Sequence, residues 1–363
     1  MATVVHLTGP ILTGPDDVVQ QAWIIDGRIT FTQPVGDHDV QRLDGWVLPG
    51  LVDAHCHVGL GPHGEVPRDE AEQQALADRG HGTLLIRDAG APGDTRWIDE
   101  RADLPKVIRA GRHIARTRRY IRNFAWEVEP EDLVATVRQE ARAGDGWVKL
   151  VGDWIDRDTG DLAPCWPAEV LTEAIAAAHQ EGARTTAHCF GEESLADFAA
   201  AGTDCIEHAT GLVPETIETF AAGQIAIVPT LVNILTFPQI ASPAQEKFPD
   251  YHRHMLALHE RRYATIGAAY EAGIPIYVGT DAGGALAHGL VAAECVELAQ
   301  AGLPNQAVLS AATWGAREWL GRPGLIEGAD ADLLVLADDP RTDLGTLAAP
   351  RAVVLRGVAY PAA

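Results

Sequence analysis

The feature that most constrains the fold is a repeated alternation of short apolar runs with longer helical stretches. Eight runs have the length and composition of buried β-strands. They are 51–58, 83–88, 106–110, 147–151, 184–189, 205–209, 225–230 and 276–281. Stretches such as 167–181 lie between them and have a helical pattern. Because parallel strands are usually joined through a helix, this order predicts βαβ units. Eight such units in a chain of 363 residues fit an α/β fold, a (β/α)8 TIM-like barrel over residues 51–325.

The two ends of the chain share a different sequence pattern, in which short β-like runs are separated by turns. These runs are 4–7, 22–25, 46–48, 332–337 and 352–356. Turn residues such as Asp26-Gly27 and Pro49-Gly50 close them. We therefore expect residues 1–50 and 326–363 to form together a small β-sandwich module beside the barrel.

Charge and composition limit the classes of function. The chain has 51 acidic and 28 basic residues, a formal net charge of −23. Nucleic acids and anionic lipids are bound mainly through Lys and Arg, so we expect neither as a partner. No apolar run approaches the roughly 18 residues of a membrane span, and the N-terminus lacks the pattern of a secretory signal, so we expect a cytoplasmic protein. The five cysteines are an odd count without short-range pairing and are expected to be reduced.

The end of the first predicted barrel strand carries the sequence His55-Cys56-His57. Side chains alternate along a strand, so the two histidines share a face and point into the barrel mouth. This spacing suits a pair of metal ligands. Such a pair also occurs by chance, so the other strand ends have to decide between a metal site and a merely structural role.

Lys149 lies inside an apolar run, where an unpaired ammonium group is costly to bury. One solution is an ion pair with a carboxylate in the core. The other is reaction of the amine with CO₂, which produces an anionic carbamate that can bridge two cations. The residue alone favours the ion pair.

Three more polar residues close predicted strands. His188 ends 184–189, His208 ends 205–209 and Asp281 ends 276–281. Each has an ordinary alternative, because buried histidines are common and an aspartate can cap the next helix. Four histidines, a lysine and an aspartate, all on predicted barrel strands near their carboxyl ends, are nevertheless hard to ascribe to coincidence, since barrel active sites are built at that face. The set predicts a metal site.

Several motifs resemble those of the amidohydrolase superfamily. They are PGLVDAHCH at 49–57, VKL at 148–150, AH at 187–188, IEH at 206–208 and GTD at 279–281. Residues 324–336 resemble the segment with which that superfamily returns to its β-sandwich. The order of a lysine on strand four followed by two histidines is similar to the Xaa-Pro dipeptidase-like and imidazolonepropionase-related branch.

The resemblance implies a ligand set and a mechanism. It assigns His55, His57 and Asp281 to one divalent metal ion and His188 and His208 to a second. Carbamylated Lys149 would bridge the two ions, which are usually zinc. Two such ions lower the pKa of water and polarise a carbonyl group, and Asp281 would move the proton from water to the leaving nitrogen.

The resulting hypothesis is a metal-dependent hydrolase that cleaves an amide, peptide or related C–N bond of a small molecule with metal-activated hydroxide. Two alternatives stay open. A mononuclear hydrolase or deaminase of the same superfamily would need one metal ion and an unmodified Lys149. A catalytically silent scaffold would keep the fold without turnover. The sequence also leaves a homo-oligomer open.

Six arginines fall between positions 109 and 122 of this acidic chain, in and after the third predicted strand. The loop after a barrel strand borders the active site, so these side chains are candidates for binding a substrate carboxylate. The candidate substrate contacts are Arg116, Arg118, Arg119, Arg122 and, from the loop after Asp281, His288. The alternative is a solvated basic face that pairs with the protein's own carboxylates.

Overall fold

The computed structural model describes residues 3–363. Its strands are β1 (Thr3–Leu12), β2 (Val18–Ile25), β3 (Arg28–Thr30), β4 (Asp39–Asp44), β5 (Trp46–Pro49), β6 (Leu51–Cys56), β7 (Leu60–Gly61), β8 (Gly64–Glu65), β9 (Thr83–Asp88), β10 (Lys106–Arg109), β11 (Ile114–Arg116), β12 (Trp126–Val128), β13 (Trp147–Val151), β14 (Asp153–Ile155), β15 (Leu162–Pro164), β16 (Arg184–Cys189), β17 (Cys205–His208), β18 (Ala226–Val228), β19 (Leu333–Leu336), β20 (Ala352–Leu355) and β21 (Val358–Tyr360).

Its α-helices are α1 (Arg68–Gly80), α2 (Leu133–Ala143), α3 (Ala168–Gln180), α4 (Glu193–Ala201), α5 (Pro214–Gly223), α6 (Leu231–Ile234), α7 (Phe237–Ala241), α8 (Pro249–Glu271), α9 (Val291–Gln300), α10 (Asn305–Ala312) and α11 (Trp314–Trp319). Short 3-10 turns occupy Arg96–Glu100, Pro130–Asp132, Ser242–Ala244 and Leu344–Ala348.

Both ends of the chain contribute to one eight-stranded sheet. Its strand order is β21-β20-β19-β5-β1-β2-β3, and β4 lies parallel to β1 at a branch from this path. The antiparallel pairing of β19 with β5 joins the end of the chain to the strand that leads directly into β6. The pairing of the two chain ends was expected from the sequence. The packing of these strands into two layers, and the limits at residues 50 and 326, stay predictions.

The middle of the chain contains parallel strands in the order β10-β9-β6 and β12-β11-β13-β16-β17-β18. Three of these strands, β9, β13 and β16, coincide with predicted runs, and β6, β10, β17 and β18 agree within two residues at each end. Helices follow most of these strands, so the chain has an α/β, TIM-barrel-like fold. Closure of all eight runs into one barrel stays a prediction.

The eighth predicted run, 276–281, forms bridges without forming a regular strand. Ile276 pairs with Ile227 on one side and Ala282 pairs with Cys56 on the other, so the run lies between β18 and β6. Its backbone is hydrogen-bonded to β6, because the Ala54 N–H donates to the Val278 carbonyl oxygen at 2.8 Å and the Thr280 N–H donates to the His55 carbonyl oxygen at 3.0 Å. The Asp281 N–H donates to the same His55 oxygen at 2.7 Å, so two successive N–H groups share one acceptor and the ladder is irregular at this point.

The parallel strands are buried because helices cover them. Every residue of β6, β9 and β13 is buried, as expected for near-continuous apolar runs in a parallel sheet. Helix α3 shows the complementary pattern. Its buried residues include Leu171, Ala174, Ile175 and Ala178, spaced three and four apart on one face.

Two additions at the carboxyl ends of the strands were not expected from the sequence. The first is the antiparallel hairpin β14–β15. The second is the segment from α6 to the start of α8, which follows β18. Residues from both additions pack together in one apolar cluster, with Leu162 of β15 and Phe237 of α7 beside Phe190. The additions therefore help to shape the surroundings of the strand ends.

The five cysteines are free and buried. Among residues 3–363, no helix combines the length and the apolar composition needed to cross a membrane.

Candidate metal centre

Two histidines at the end of β6 form the first half of a cluster. The Nε2 atoms of His55 and His57 lie 3.2 Å apart, and both residues are buried. His57 Nδ1 donates to the carbonyl oxygen of Gly90 at 2.6 Å. His55 Nδ1 lies 2.8 Å from Glu207 Oε2. The outer nitrogen of each ring is therefore engaged, and both Nε2 atoms face the inside of the cluster.

Asp281 reaches the same point from the end of the eighth run. Its Oδ1 lies 3.1 Å from His55 Nε2 and 3.0 Å from His57 Nε2. Its backbone φ of +58° falls in the left-handed region, which a non-glycine residue adopts only under constraint and often at functional sites. Burial opposes ionisation, but the neighbouring His55 and His57 hold the pKa of Asp281 well below its usual range. Asp281 is therefore a carboxylate at neutral pH.

His188 and His208 form the second half, from the neighbouring strands β16 and β17. His188 Nδ1 lies 3.0 Å from His208 Nε2. His208 Nδ1 lies 2.7 Å from Thr230 Oγ1. Burial lowers the pKa of both rings well below the usual value, so each is neutral and keeps a lone pair. The rings of His55 and His208 are 5.2 Å apart between centroids, so the two halves adjoin.

Lys149 of β13 enters the cluster with its Nζ 3.5 Å from His55 Nε2. The side chain is buried, and within residues 3–363 no carboxylate oxygen lies close enough to form an ion pair with it. Burial lowers the pKa of the amine, although the charges of Glu207 and Asp281 oppose this shift. The ion pair that Lys149 alone suggested is therefore not formed in the structure.

The donor atoms fit a bound cation. Because the Nδ1 atoms of His55 and His57 are engaged, their Nε2 atoms carry lone pairs that face each other across 3.2 Å. Facing lone pairs repel, and a positive ion between them removes the repulsion. Imidazole nitrogen and carboxylate oxygen are also the ligands that zinc takes in proteins. His55, His208 and Asp281 each offer one donor atom within 4.8 Å of the other two.

A buried ion pair behind the cluster fixes His55. Arg87 of β9 donates to Glu207 Oε1 at 2.6 Å, and both side chains are fully buried. The Arg87 guanidinium also donates to the Ala54 carbonyl oxygen at 2.6 Å and lies 4.6 Å from the centroid of the Trp147 ring. A carboxylate that holds the outer nitrogen of a ligand histidine fixes its tautomer and orientation. This pair was not predicted from the sequence, although each charge stands in an apolar strand, the signal that singled out Lys149.

The turn at the start of α6 supports both halves of the cluster. Thr230 contacts His208, and Asn233 Nδ2 donates to Asp281 Oδ2 at 2.7 Å. Glu294 of α9, which is fully buried, accepts hydrogen bonds from the backbone N–H groups of residues 231 and 232, both at 2.8 Å. Glu294 thus anchors the turn, and the turn orients one ligand of each half. No motif in the sequence marks these residues.

The four arginines predicted to contact substrate differ in the partners that the structure gives them. Arg119 donates to Asp156 at 2.7 Å and to the carbonyl oxygens of residues 154 and 163, at 3.0 and 2.8 Å. The Arg119 guanidinium therefore holds the β14–β15 hairpin, and a substrate contact at Arg119 stays a prediction. Arg116 lies 3.9 Å from Glu129. Arg118 and Arg122 form no side-chain hydrogen bond or ion pair within the described chain and stay candidates together with Arg116.

His288 does not lie with the predicted ligands. It is buried, and its Nδ1 lies 2.8 Å from Asp78 Oδ2 of α1. It also shares a cluster with Cys56, which alternates in β6 with the histidines and faces the other side. The structure therefore places His288 apart from the cluster, and the predicted substrate contact at His288 stays a prediction.

Comparisons with known proteins cover nearly the whole chain. The family model described as the amidohydrolase family matches residues 46–359. An uncharacterised protein of Mycobacterium tuberculosis is 54% identical over 344 residues, which are 94% of this chain and 92% of that protein. The solved structure of a Xaa-Pro dipeptidase with bound methionine has a TM-score of 0.82 at 23% identity and covers 99% of this chain and 100% of its own. A prolidase complexed with N-methylphosphonate-L-proline has a TM-score of 0.81 at 20% identity, with 98% and 99% covered.

Proposed function

The chain belongs to the amidohydrolase family and is an enzyme that hydrolyses C–N bonds, and we propose that it cleaves an amide, peptide or related bond of a small molecule with two divalent metal ions. The observation that carries this proposal is the convergence of four imidazoles, a lysine and a carboxylate. His55 Nε2 lies within 3.5 Å of the polar atoms of His57, Asp281 and Lys149, and His188 and His208 adjoin them.

The proposed ligand set divides between the two halves of the cluster. His55, His57 and Asp281 would hold one ion and His188 and His208 would hold the other, with zinc as the expected metal. Carbamylated Lys149 would supply a carboxylate ligand to both. In this modification the Lys149 Nζ lone pair forms a bond to the carbon of CO₂, one C=O bond of CO₂ opens to a carboxylate, and the nitrogen releases a proton to solvent. Its support is geometric, since no carboxylate in the described chain forms an ion pair with the buried amine.

The remaining steps belong to the protein's own residues. When bound, the metal ions supply an activated water at neutral pH and a polarised substrate carbonyl. Asp281 accepts the proton of the attacking water and delivers it to the leaving nitrogen. Asn233 keeps Oδ2 of this carboxylate fixed by a hydrogen bond, so that Oδ1 faces the cluster. Glu207 and Arg87 hold the ring of His55 in place.

The relatives suggest where to look for a substrate. Two solved structures with the same fold are described as a Xaa-Pro dipeptidase and as a prolidase. Dipeptides and N-acyl amino acids are therefore the first small molecules to test. Their carboxylate would have to be bound by a cation, for which Arg116, Arg118 and Arg122 are the proposed candidates.

A substrate panel combined with metal removal tests the proposed function. The enzyme is purified without chelators, supplied with zinc and bicarbonate, and assayed against Xaa-Pro and other dipeptides, N-acyl amino acids, lactams and esters. We expect turnover of at least one amide, loss of that turnover after dialysis against a chelator, and its return with zinc. Turnover that survives complete metal removal would contradict the proposal. A folded, metal-loaded protein that cleaves no member of the panel would favour the silent scaffold.

A further inference from the structure

Three aromatic side chains from three different loops converge on His188. The centroid of its ring lies 5.5 Å from that of Tyr120, 5.6 Å from that of Trp154 and 4.2 Å from that of Phe190. Tyr120 follows β11, Trp154 lies on β14 after β13, and Phe190 follows β16. These loops occupy the face at which barrel enzymes bind their substrates.

The aromatic residues form a continuous surface, here called the aromatic wall and defined as Tyr120, Phe124, Trp154 and Phe190. Tyr120 is 4.8 Å from Trp154 and 6.4 Å from Phe124 between ring centroids. Phe124 and Phe190 are buried, whereas Tyr120 and Trp154 are partly exposed. The two latter rings are therefore the part of the wall that a substrate can touch.

Contacts with Phe237 and Arg119 hold the aromatic wall in place. Phe237 of α7 packs against Phe190 with 4.6 Å between ring centroids. Arg119 donates to the backbone carbonyl oxygen of Trp154 at 3.0 Å and forms its ion pair with Asp156. The Arg119 guanidinium thus fixes the backbone that carries Trp154. The Tyr120 hydroxyl forms no hydrogen bond with the described part of the chain.

This arrangement points to the class of substrate. Resting on the proposed function, we infer that the aromatic wall binds a flat apolar group, such as a phenyl ring, that the substrate carries next to the bond to be cleaved. A group placed over the His188 half of the cluster meets ring faces and edges, and aromatic pairs are stabilised in offset-stacked or edge-to-face geometries at centroid distances of about 4.5–7 Å.

Matched pairs of amides test the inference. Benzoylglycine is compared with acetylglycine, which varies the acyl side, and N-acetylphenylalanine with N-acetylalanine, which varies the amine side. Benzoate and acetate are titrated in parallel into the metal-loaded enzyme by calorimetry. We expect the aromatic member of at least one amide pair to have a kcat/KM at least ~10-fold higher, the benefit of about 1.4 kcal/mol of binding, and benzoate to bind more tightly than acetate.

Substitutions then test whether the aromatic wall causes the preference for the aromatic substrate. In Trp154→Ala the ratio of kcat/KM within the favoured pair should fall several-fold, whereas Tyr120→Phe, which keeps the ring, should retain the ratio. Trp126→Ala is the matched control, because this tryptophan is 41% exposed and its ring stacks on Arg112 and on no ring of the aromatic wall. Its ratio should equal that of the wild type.

The outcomes separate the inference from the proposed function. Equal turnover within both pairs, together with equal binding of benzoate and acetate, would overturn the inference and leave the hydrolase intact. Tighter binding of benzoate without cleavage of any amide would support the wall and contradict the proposed function. A ratio unchanged in Trp154→Ala would overturn the assignment to the aromatic wall.

Discussion

Asp281→Asn is expected to lower kcat by at least ~10²-fold, the usual scale for loss of a general acid–base group, with a smaller effect on KM. Asparagine keeps the shape of the side chain and one oxygen, but it cannot take up the proton of the attacking water. Asp281 Oδ1 already faces both Nε2 atoms of His55 and His57, at 3.1 and 3.0 Å. The measurement is steady-state kinetics on the best amide, with metal content determined on the same preparation.

The metal content separates two ways of losing activity. A variant that keeps its metal and loses kcat has lost proton transfer, whereas a variant that loses both has lost a ligand. Asp343→Asn is the matched control, because Asp343 caps the 3-10 turn Leu344–Ala348 in the terminal part of the chain. Its kinetics should be those of the wild type. A near-normal kcat in Asp281→Asn would remove the residue from proton transfer.

Lys149→Ala is expected to lose bound metal and activity together. The carbamate proposed on Lys149 would bridge both ions, so its removal should cost more than the ~10–100-fold typical of a residue that only supports a ligand. A short carboxylic acid such as acetate, added in bicarbonate-free buffer, should restore part of both by replacing the bridging carboxylate. Lys149→Arg should not be active, because a guanidinium cannot form the carbamate and stays cationic. Metal content and kcat/KM are measured with and without the acid.

Lys106→Ala provides the control for a lysine substitution. Lys106 is partly exposed and pairs with Asp330 and Asp332 at 2.7 and 2.8 Å, away from the cluster. This variant should keep its metal and its kcat, whatever it loses in stability. If Lys149→Ala retained full metal content and rate, the residue would be merely structural and the bridge would be refuted.

The sequence indicates which residues come together in the candidate metal centre better than it indicates the contacts around them. His55, His188 and His208 could be placed because each closes an apolar run, and the carboxyl ends of parallel strands share one face. The same reasoning could have singled out Glu207 and Arg87, since both charges interrupt apolar strands. Their ion pair could not be predicted, because the two residues lie 120 positions apart and only the fold brings them together.

The sequence is less informative about the substrate contacts than about the cluster. A cluster of arginines reveals charge but not which carboxylates neutralise it, and Arg119 proved to be paired with Asp156. The β14–β15 hairpin that Arg119 supports has strands of three residues, too short to show a clear alternation. For His288 the sequence is uninformative for a related reason, since loop residues carry no periodicity that tells which side of a strand they face.

Titration of metal-free enzyme with zinc in the presence of bicarbonate tests the proposed binuclear hydrolase, with bound metal and amide turnover measured on each sample. We predict that activity rises until two ions are bound per chain and then stays constant. Full activity at one ion per chain, with no further gain on saturation, would contradict the binuclear assignment and favour the mononuclear alternative.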